Sequence, residues 1–154
     1  MEPPSTGNVT VLNQSTRRVR ISKIRQAAEI ALACHGHATD TVCLLLTDDQ
    51  HIRELNRQFR KVDEATDVLT FPSPGGGDIA ISVEYAERQA EARNVSLTQE
   101  LGYLAIHGAL HLAGFDDESE SEREAMVRQM NLVAIEAGLK PDEEWWSLLH
   151  GEAA

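Results

Sequence analysis

The sequence lacks several features that mark whole classes of protein. No apolar stretch approaches the roughly 18 to 20 residues that a membrane-spanning helix needs. Residues 1–9 lack the basic patch and the apolar core of a signal peptide. The chain has two cysteines, Cys34 and Cys43, without metal-type spacing between them. We therefore expect two buried, reduced thiols, no membrane partner and a cytoplasmic location.

The composition is that of an ordinary globular protein, with 42% hydrophobic and 25% charged residues. A length of 154 residues allows one domain with a substantial core but is short for two. We predict a single domain over residues 1–154.

The charge is unevenly distributed along the chain. Residues 1–61 hold nine Lys/Arg and six Asp/Glu, whereas residues 62–154 hold five and nineteen, for a total net charge of −11. A uniformly acidic protein would be repelled by nucleic acid, because such binding depends on neutralising phosphates. Here the basic residues form two groups, which could make a local basic face or two solvated helix faces: Arg17, Arg18, Arg20, Lys23 and Arg25, and then Arg53, Arg57, Arg60 and Lys61.

Apolar patterns predict four strands, near residues 9–12, 42–46, 66–72 and 78–82. The last two flank a Pro-Gly-Gly-Gly turn at residues 74–77 and read as a hairpin in which proline stops the first strand. Helical patterns fill most of the remaining chain, the last one beginning at Pro141. The predicted fold is α+β, a four-stranded mixed sheet surrounded by about five or six helices.

The segment from Ile106 to Asp117 carries the strongest functional signal. His107 and His111 are four residues apart in a helical pattern, so their imidazoles lie on the same face. A turn at Gly114 can return a third ligand to them. A zinc site with three protein ligands keeps a position for water, as catalytic sites do. The pattern therefore predicts a catalytic metal site.

The residue after the first histidine excludes one class of metalloenzyme. In proteases of the His-Glu-x-x-His type, the glutamate at that position is the general base. Here the position is Gly108, which has no side chain. Peptide hydrolysis by the usual route is therefore disfavoured, and we expect a different substrate.

These residues resemble the metal motif of the YbeY family of bacterial rRNA maturation endoribonucleases, His-x-x-x-His-x-x-Gly-x-Asp-His. The resemblance extends to Leu-Asn-Arg-Gln-Phe-Arg at 55–60, Thr-Asp-Val-Leu-Thr-Phe-Pro at 66–72 and Gly-Asp-Ile-Ala-Ile-Ser at 77–82. The blocks follow the family's order and approximate spacing over about residues 40–135. Each block is moderately specific, and together they are strong support for the resemblance.

The resemblance implies a single-strand endoribonuclease with one zinc ion, acting in 16S rRNA 3′-end maturation and ribosome quality control. It implies rRNA and the small ribosomal subunit or its proteins as partners, and places an active-cleft arginine at Arg60. A guanidinium can bind phosphate through two hydrogen bonds and offset charge that builds up during cleavage. Alternatively, Arg60 is a helix-end cation stabilised by the helix dipole.

Asp117 departs from the family pattern, which has its third histidine ligand there. Aspartate is an acceptable zinc ligand. Its charge should make a bound water less acidic, and its oxygen suits harder metals such as manganese better. We expect His107, His111 and Asp117 to be the ligands of a metal that activates water as the nucleophile, with Asp116 and Glu100 as supporting groups. Attack by the ribose 2′-OH is the alternative.

Two other functions remain open from the sequence. One is a ribosome-associated binding factor, its catalysis weakened or lost by Asp117, whose acidic surface contacts basic ribosomal proteins. The other is a metallohydrolase of another non-peptide substrate. Trp145 and Trp146 could stack on bases, but we expect them to dock on the core. The oligomeric state is not predicted.

Overall fold

A four-stranded mixed sheet lies at the centre of the computed structural model, which describes residues 8–145. Its strands are β1 (Asn8–Asn13), β2 (Thr41–Thr47), β3 (Val68–Ser73) and β4 (Gly76–Ser82). The spatial order is β1-β2-β4-β3. β1 and β4 run parallel to β2, and β3 pairs with β4 in the antiparallel sense. The predicted mixed sheet and hairpin are confirmed.

Five helices surround the sheet within the described residues. They are α1 (Ile21–Ala33), α2 (Asp49–Arg60), α3 (Val83–Arg93), α4 (Leu97–Leu112) and α5 (Glu120–Glu136). The α+β class is therefore confirmed. Of the further helix expected from Pro141, residues 141–145 form a turn, and the remainder, with Trp146, lies outside the described residues. None of the helices between residues 8 and 145 has the length and apolar character to span a membrane.

The two faces of the sheet carry different hydrophobic clusters. Consecutive strand residues point to opposite faces, so Ile79 and Ala80 of β4 separate the two sides. Ile79 joins the main core, to which α1 and α4 contribute. Ala80 joins a smaller cluster with Leu69 of β3 and Ile52 of α2. The sheet is thus covered by α1 and α4 on one side and by α2 on the other.

Two sequence expectations are wrong in detail. Pro72 does not stop β3, which continues to Ser73 with Pro72 opposite Gly77. β3 is an edge strand, where a missing N–H can face away from the sheet. Cys34 is exposed rather than buried, because it is the C-cap of α1, beyond the last buried residue, Leu32. Cys43 is partly buried, and both thiols are unbridged as expected.

Candidate metal centre

The central helix α4 presents the two histidines from a largely buried position. Its N-terminus is capped by Ser96, whose hydroxyl accepts a hydrogen bond from the backbone N–H of Gln99 at 3.1 Å. Every residue from Glu100 to Leu110 is buried. Polar side chains on this stretch must therefore find partners inside the protein, because water does not reach them freely.

Gly108 lets α4 approach the sheet closely. A Cβ placed on Gly108 would lie 2.9 Å from Cγ2 of Ile79 on β4, closer than side chains tolerate without a shift. The position that holds the general base in His-Glu-x-x-His proteases therefore faces the sheet here. Close packing of α4 against Ile79 therefore explains the glycine at position 108. This agrees with the exclusion of His-Glu-x-x-His protease chemistry.

A tight turn at the end of α4 brings the chain back toward the histidines. Gly114 has φ +102°, a backbone conformation that favours glycine. Its N–H donates to the carbonyl of His111, and the N–H of Phe115 donates to that of Leu110, at 3.0 and 2.9 Å. This is the hydrogen-bond pattern of a Schellman motif. The reversal places Asp117 beside the last turn of the helix.

Three side-chain atoms converge at this turn. Nε2 of His111 lies 3.1 Å from Nε2 of His107 and 3.3 Å from Oδ2 of Asp117. Nε2 of His107 lies 3.5 Å from the same oxygen. The exposed side-chain fractions are 10% for His107, 21% for His111 and 26% for Asp117. The structure thus brings together the three residues predicted as ligands, at a site that solvent can reach.

The arrangement fits a tetrahedral metal. With zinc–ligand distances of about 2.0–2.1 Å, the ligand atoms of a tetrahedral site are about 3.3 Å apart, close to the three spacings found here. Hydrogen bonding to His111 and attraction to both histidines lower the pKa of Asp117 against the opposing effect of burial. A carboxylate and two imidazole nitrogens facing one point are a suitable donor set for a divalent cation.

Arg60 lies at the exposed end of α2, beside the edge strand. Its Nη2 donates to the carbonyl of Thr70 on β3, at 3.3 Å. Thr70 pairs with Ile79, and Ile79 is the residue against which Gly108 packs. Arg60 and the histidines therefore approach the β3–β4 hairpin from different elements, and a role for Arg60 at the site stays a prediction.

The two predicted supporting residues differ in their surroundings. Asp116 is exposed, next to Asp117. Glu100 is 1% exposed, and its Oε2 accepts hydrogen bonds from Gln89 and Trp145 at 3.0 and 3.2 Å. Its Oε1 lies 3.1 Å from Nε of Arg93. Burial raises the pKa of Glu100 to about 7, against the opposing effects of Arg93 and the hydrogen bonds. That either residue supports a ligand stays a prediction.

Trp145 connects this buried carboxylate to the histidines. It is 2% exposed, which confirms that it docks on the core. Besides its hydrogen bond to Glu100, its ring lies 5.4 Å from the ring of His107, between centroids. Sequence reasoning missed this contact, because the two residues are far apart in the chain and no local pattern links them.

Comparison with known proteins agrees with this geometry. A family model described as Endoribonuclease YbeY matches residues 8–136. The chain belongs to the YbeY endoribonuclease family. It is 42% identical over 130 residues to Endoribonuclease YbeY of Aquifex aeolicus, covering 80% of this chain and 87% of that protein. It is 39% identical over 135 residues to that of Thermus thermophilus, covering 81% and 97%.

A solved structure supports the fold. The solution structure of a Thermotoga maritima protein aligns with a TM-score of 0.59 and 29% sequence identity. The alignment covers 83% of this chain and 90% of that one. The YbeY resemblance inferred from the sequence motifs is therefore confirmed.

Proposed function

We propose that this protein is a zinc-dependent endoribonuclease for single-stranded RNA. The protein would act in the cytoplasm, in 16S rRNA 3′-end maturation and in ribosome quality control. Its partners would be rRNA and the small ribosomal subunit or its proteins. The observation that carries the proposal is the convergence of His107, His111 and Asp117 in a YbeY-family chain. Endoribonuclease is also the activity named for its curated relatives.

The three side chains would hold one metal ion and leave part of its coordination sphere open to solvent. Zinc bound in such a site supplies Lewis acidity and a water nucleophile near neutral pH. Asp117 adds a negative charge and an oxygen donor, so manganese or another hard divalent ion should also bind. His107 and His111 must be neutral at the ligating nitrogen, which makes binding weaker at acid pH.

The exposed end of α2 is suited to contact RNA. Arg57, Arg60 and Lys61 are exposed there, in a chain that is otherwise strongly acidic. Phe59 is 59% exposed, and its ring lies edge-on to Phe71 of β3, with centroids 5.2 Å apart. Arginine binds phosphate oxygens, while an exposed aromatic ring can stack on an unpaired base. This combination favours single strands, whose bases are accessible.

Cleavage assays on matched RNAs test the proposal. Protein loaded with one zinc per chain should cut a single-stranded RNA and spare the same sequence in a duplex. Arg60→Ala should lower kcat by about 100-fold, the usual cost of losing a donor that stabilises developing negative charge. Arg128→Ala, which removes an exposed arginine on α5, is the control and should change little.

Four outcomes would alter the proposal. Equal cutting of both RNAs, or full activity of Arg60→Ala, would contradict the single-strand or arginine assignment. Ribosome co-sedimentation that survives chelation, with no cleavage at any metal tested, would instead identify a binding factor. A 2′-deoxy substitution at the cut site that abolishes cleavage would assign the nucleophile to the ribose 2′-OH.

A further inference from the structure

Residues 139–145, which we call the strap, return across α4 after α5 ends. Two pairs of reciprocal hydrogen bonds hold it. The side chain of Gln99 bonds the backbone of Lys140 at 2.7 and 3.1 Å, and that of Asn131 bonds the backbone of Asp142 at 2.6 and 3.0 Å. The strap is thus fixed to both α4 and α5. The family model ends at residue 136, so the strap lies beyond the matched region.

Trp145, at the end of the strap, is held in one orientation by three different contacts. Its ring stacks on Tyr103, with centroids 5.8 Å apart and planes at 22°. Its Nε1 donates to Oε2 of Glu100 at 3.2 Å. The guanidinium of Arg93 lies 5.1 Å from the ring centroid, within cation–π range. Rotation of the indole would break all three contacts.

The imidazole of His107 lies against this fixed indole. The two ring centroids are 5.4 Å apart, with the planes at 48°. His111 packs edge-on against the same imidazole, at 4.6 Å and 81°. Contacts with both rings restrict the side-chain torsions of His107 and keep its Nε2 directed toward Asp117. A ligand already in its bound orientation loses less entropy when the metal binds.

We propose that Trp145 is a positioning residue for the metal site, acting through His107. This inference rests on the proposed function, because it assumes that His107 is a ligand. The strap then couples the buried Glu100–Arg93 pair to the metal, and zinc affinity depends on a ring outside the family-matched region. Residues that orient a ligand typically account for about 10- to 100-fold in metal affinity.

Zinc affinity, measured by competition with a chromophoric chelator on the full chain, tests this inference. Trp145→Ala and Trp145→Leu should weaken binding about 10- to 100-fold. Trp145→Phe keeps an aromatic ring beside His107 and should stay within a few-fold of wild type, on the order of the loss of one hydrogen bond. Cobalt(II) provides a second readout, since its visible absorption should change in the alanine and leucine variants.

Gln99→Ala is the matched control, because it removes both bonds to Lys140 but leaves in place the contacts of Trp145 with Tyr103, Glu100 and Arg93 that orient the indole. Its urea unfolding in chelator should show lost stability, while zinc affinity and the cobalt spectrum stay at wild-type values. If Trp145→Ala does not fold, the leucine and phenylalanine variants decide. Wild-type affinity in Trp145→Leu would overturn the positioning role alone, whereas wild-type protein that binds no zinc would overturn the proposed function itself.

Discussion

Helix α4 carries two polar clusters that are built in opposite ways. In the Glu100 cluster, one carboxylate oxygen accepts hydrogen bonds from Gln89 and Trp145, and the other lies 3.1 Å from Nε of Arg93 in an ion pair. In the histidine cluster (His107, His111 and Asp117), a carboxylate oxygen and two imidazole nitrogens face one another within 3.5 Å. The first cluster is nearly sealed from solvent, and the second is partly open to it.

This difference is the one that we expect between a structural cluster and a ligand-binding site. The Glu100 carboxylate has two hydrogen-bond donors and an arginine beside it, so groups of the protein itself stabilise it. In the histidine cluster, each neutral imidazole carries one N–H, so its Nε2 can bind a metal when the ring proton is on Nδ1. A divalent cation would then be a partner shared by both nitrogens and the carboxylate. Buried or half-buried titratable residues are therefore not equally informative about function. The composition of the cluster, rather than its burial, points to the metal.

The largest expected effect is the loss of metal on removing the histidines. His107→Ala/His111→Ala should lower zinc affinity by more than about 100-fold, because even residues that only orient a ligand account for about 10- to 100-fold. RNA cleavage should be lost with the metal. Metal content by elemental analysis, after dialysis against a weak chelator, measures the effect.

Glu100→Gln is the control for this experiment, because it changes the other cluster on the same helix. It should keep one zinc per chain, because the ligand atoms are unchanged and the amide oxygen of glutamine can still accept the hydrogen bond from Trp145. Stoichiometric zinc in the double histidine variant would refute the assignment of the site. Loss of zinc in Glu100→Gln but not in the histidine variant would reverse the roles of the two clusters.

The second-largest expected effect is a dependence of the protein's stability on pH, caused by the titration of Glu100. Burial raises the folded-state pKa of Glu100 to about 7, from an ordinary value of 4.5. The folded protein then keeps a proton that the unfolded chain loses, so stability falls as pH rises from 4.5 to 7 and levels off above. The expected contribution is about 3 kcal/mol over this window.

Urea unfolding at a series of pH values, with chelator present, measures this contribution. Glu100→Gln cannot titrate at this position, so its free energy of unfolding should lack the decline seen in wild type between pH 4.5 and 7. Glu124→Gln, an exposed change on α5, should keep it. Parallel curves for wild type and Glu100→Gln would show that the surrounding donors hold Glu100 ionised throughout.

The sequence was sufficient for much of this structure where signals are local. Strand patterns and the Pro-Gly turn located the β3–β4 hairpin, and the spacing of His107 and His111 put both on one helical face. Gly114 marked the turn that returns Asp117 to them. The fold class followed from the number and kind of these elements.

Features that depend on contacts between distant segments were not accessible. The buried state of Glu100 was one, because its position on the helix stripe gave no sign of Gln89 or Arg93. The contact of Trp145 with His107 was another. The edge position of β3, which permits Pro72 within the strand, depends on the order of strands in the sheet. Contacts of this kind are determined by tertiary packing, and the hydrophobic periodicity of the sequence does not reveal them.

The smallest expected effect comes from a substitution of Asp117, the third predicted ligand. Asp117→His would produce the three-histidine set that the sequence resemblance implies, and it would remove the only formal negative charge in the histidine cluster. Zinc affinity should rise about tenfold, equivalent to about 1.4 kcal/mol, and the preference over manganese should increase. Since a carboxylate makes bound water less acidic, the alkaline rise in cleavage rate should also move to lower pH in the variant.

Asp116→His provides the control, because it places a histidine one residue earlier, at an exposed position. In this variant, the zinc affinity measured by competition and the rate of manganese-supported cleavage should equal those of wild type. The reason is that Asp117 still supplies the oxygen near both imidazoles. Equal gains in both variants would mean that any added imidazole in this turn binds zinc, and that Asp117 is not a specific ligand. A gain confined to Asp117→His would show that the side chain at position 117, and not any histidine added to this turn, binds the metal.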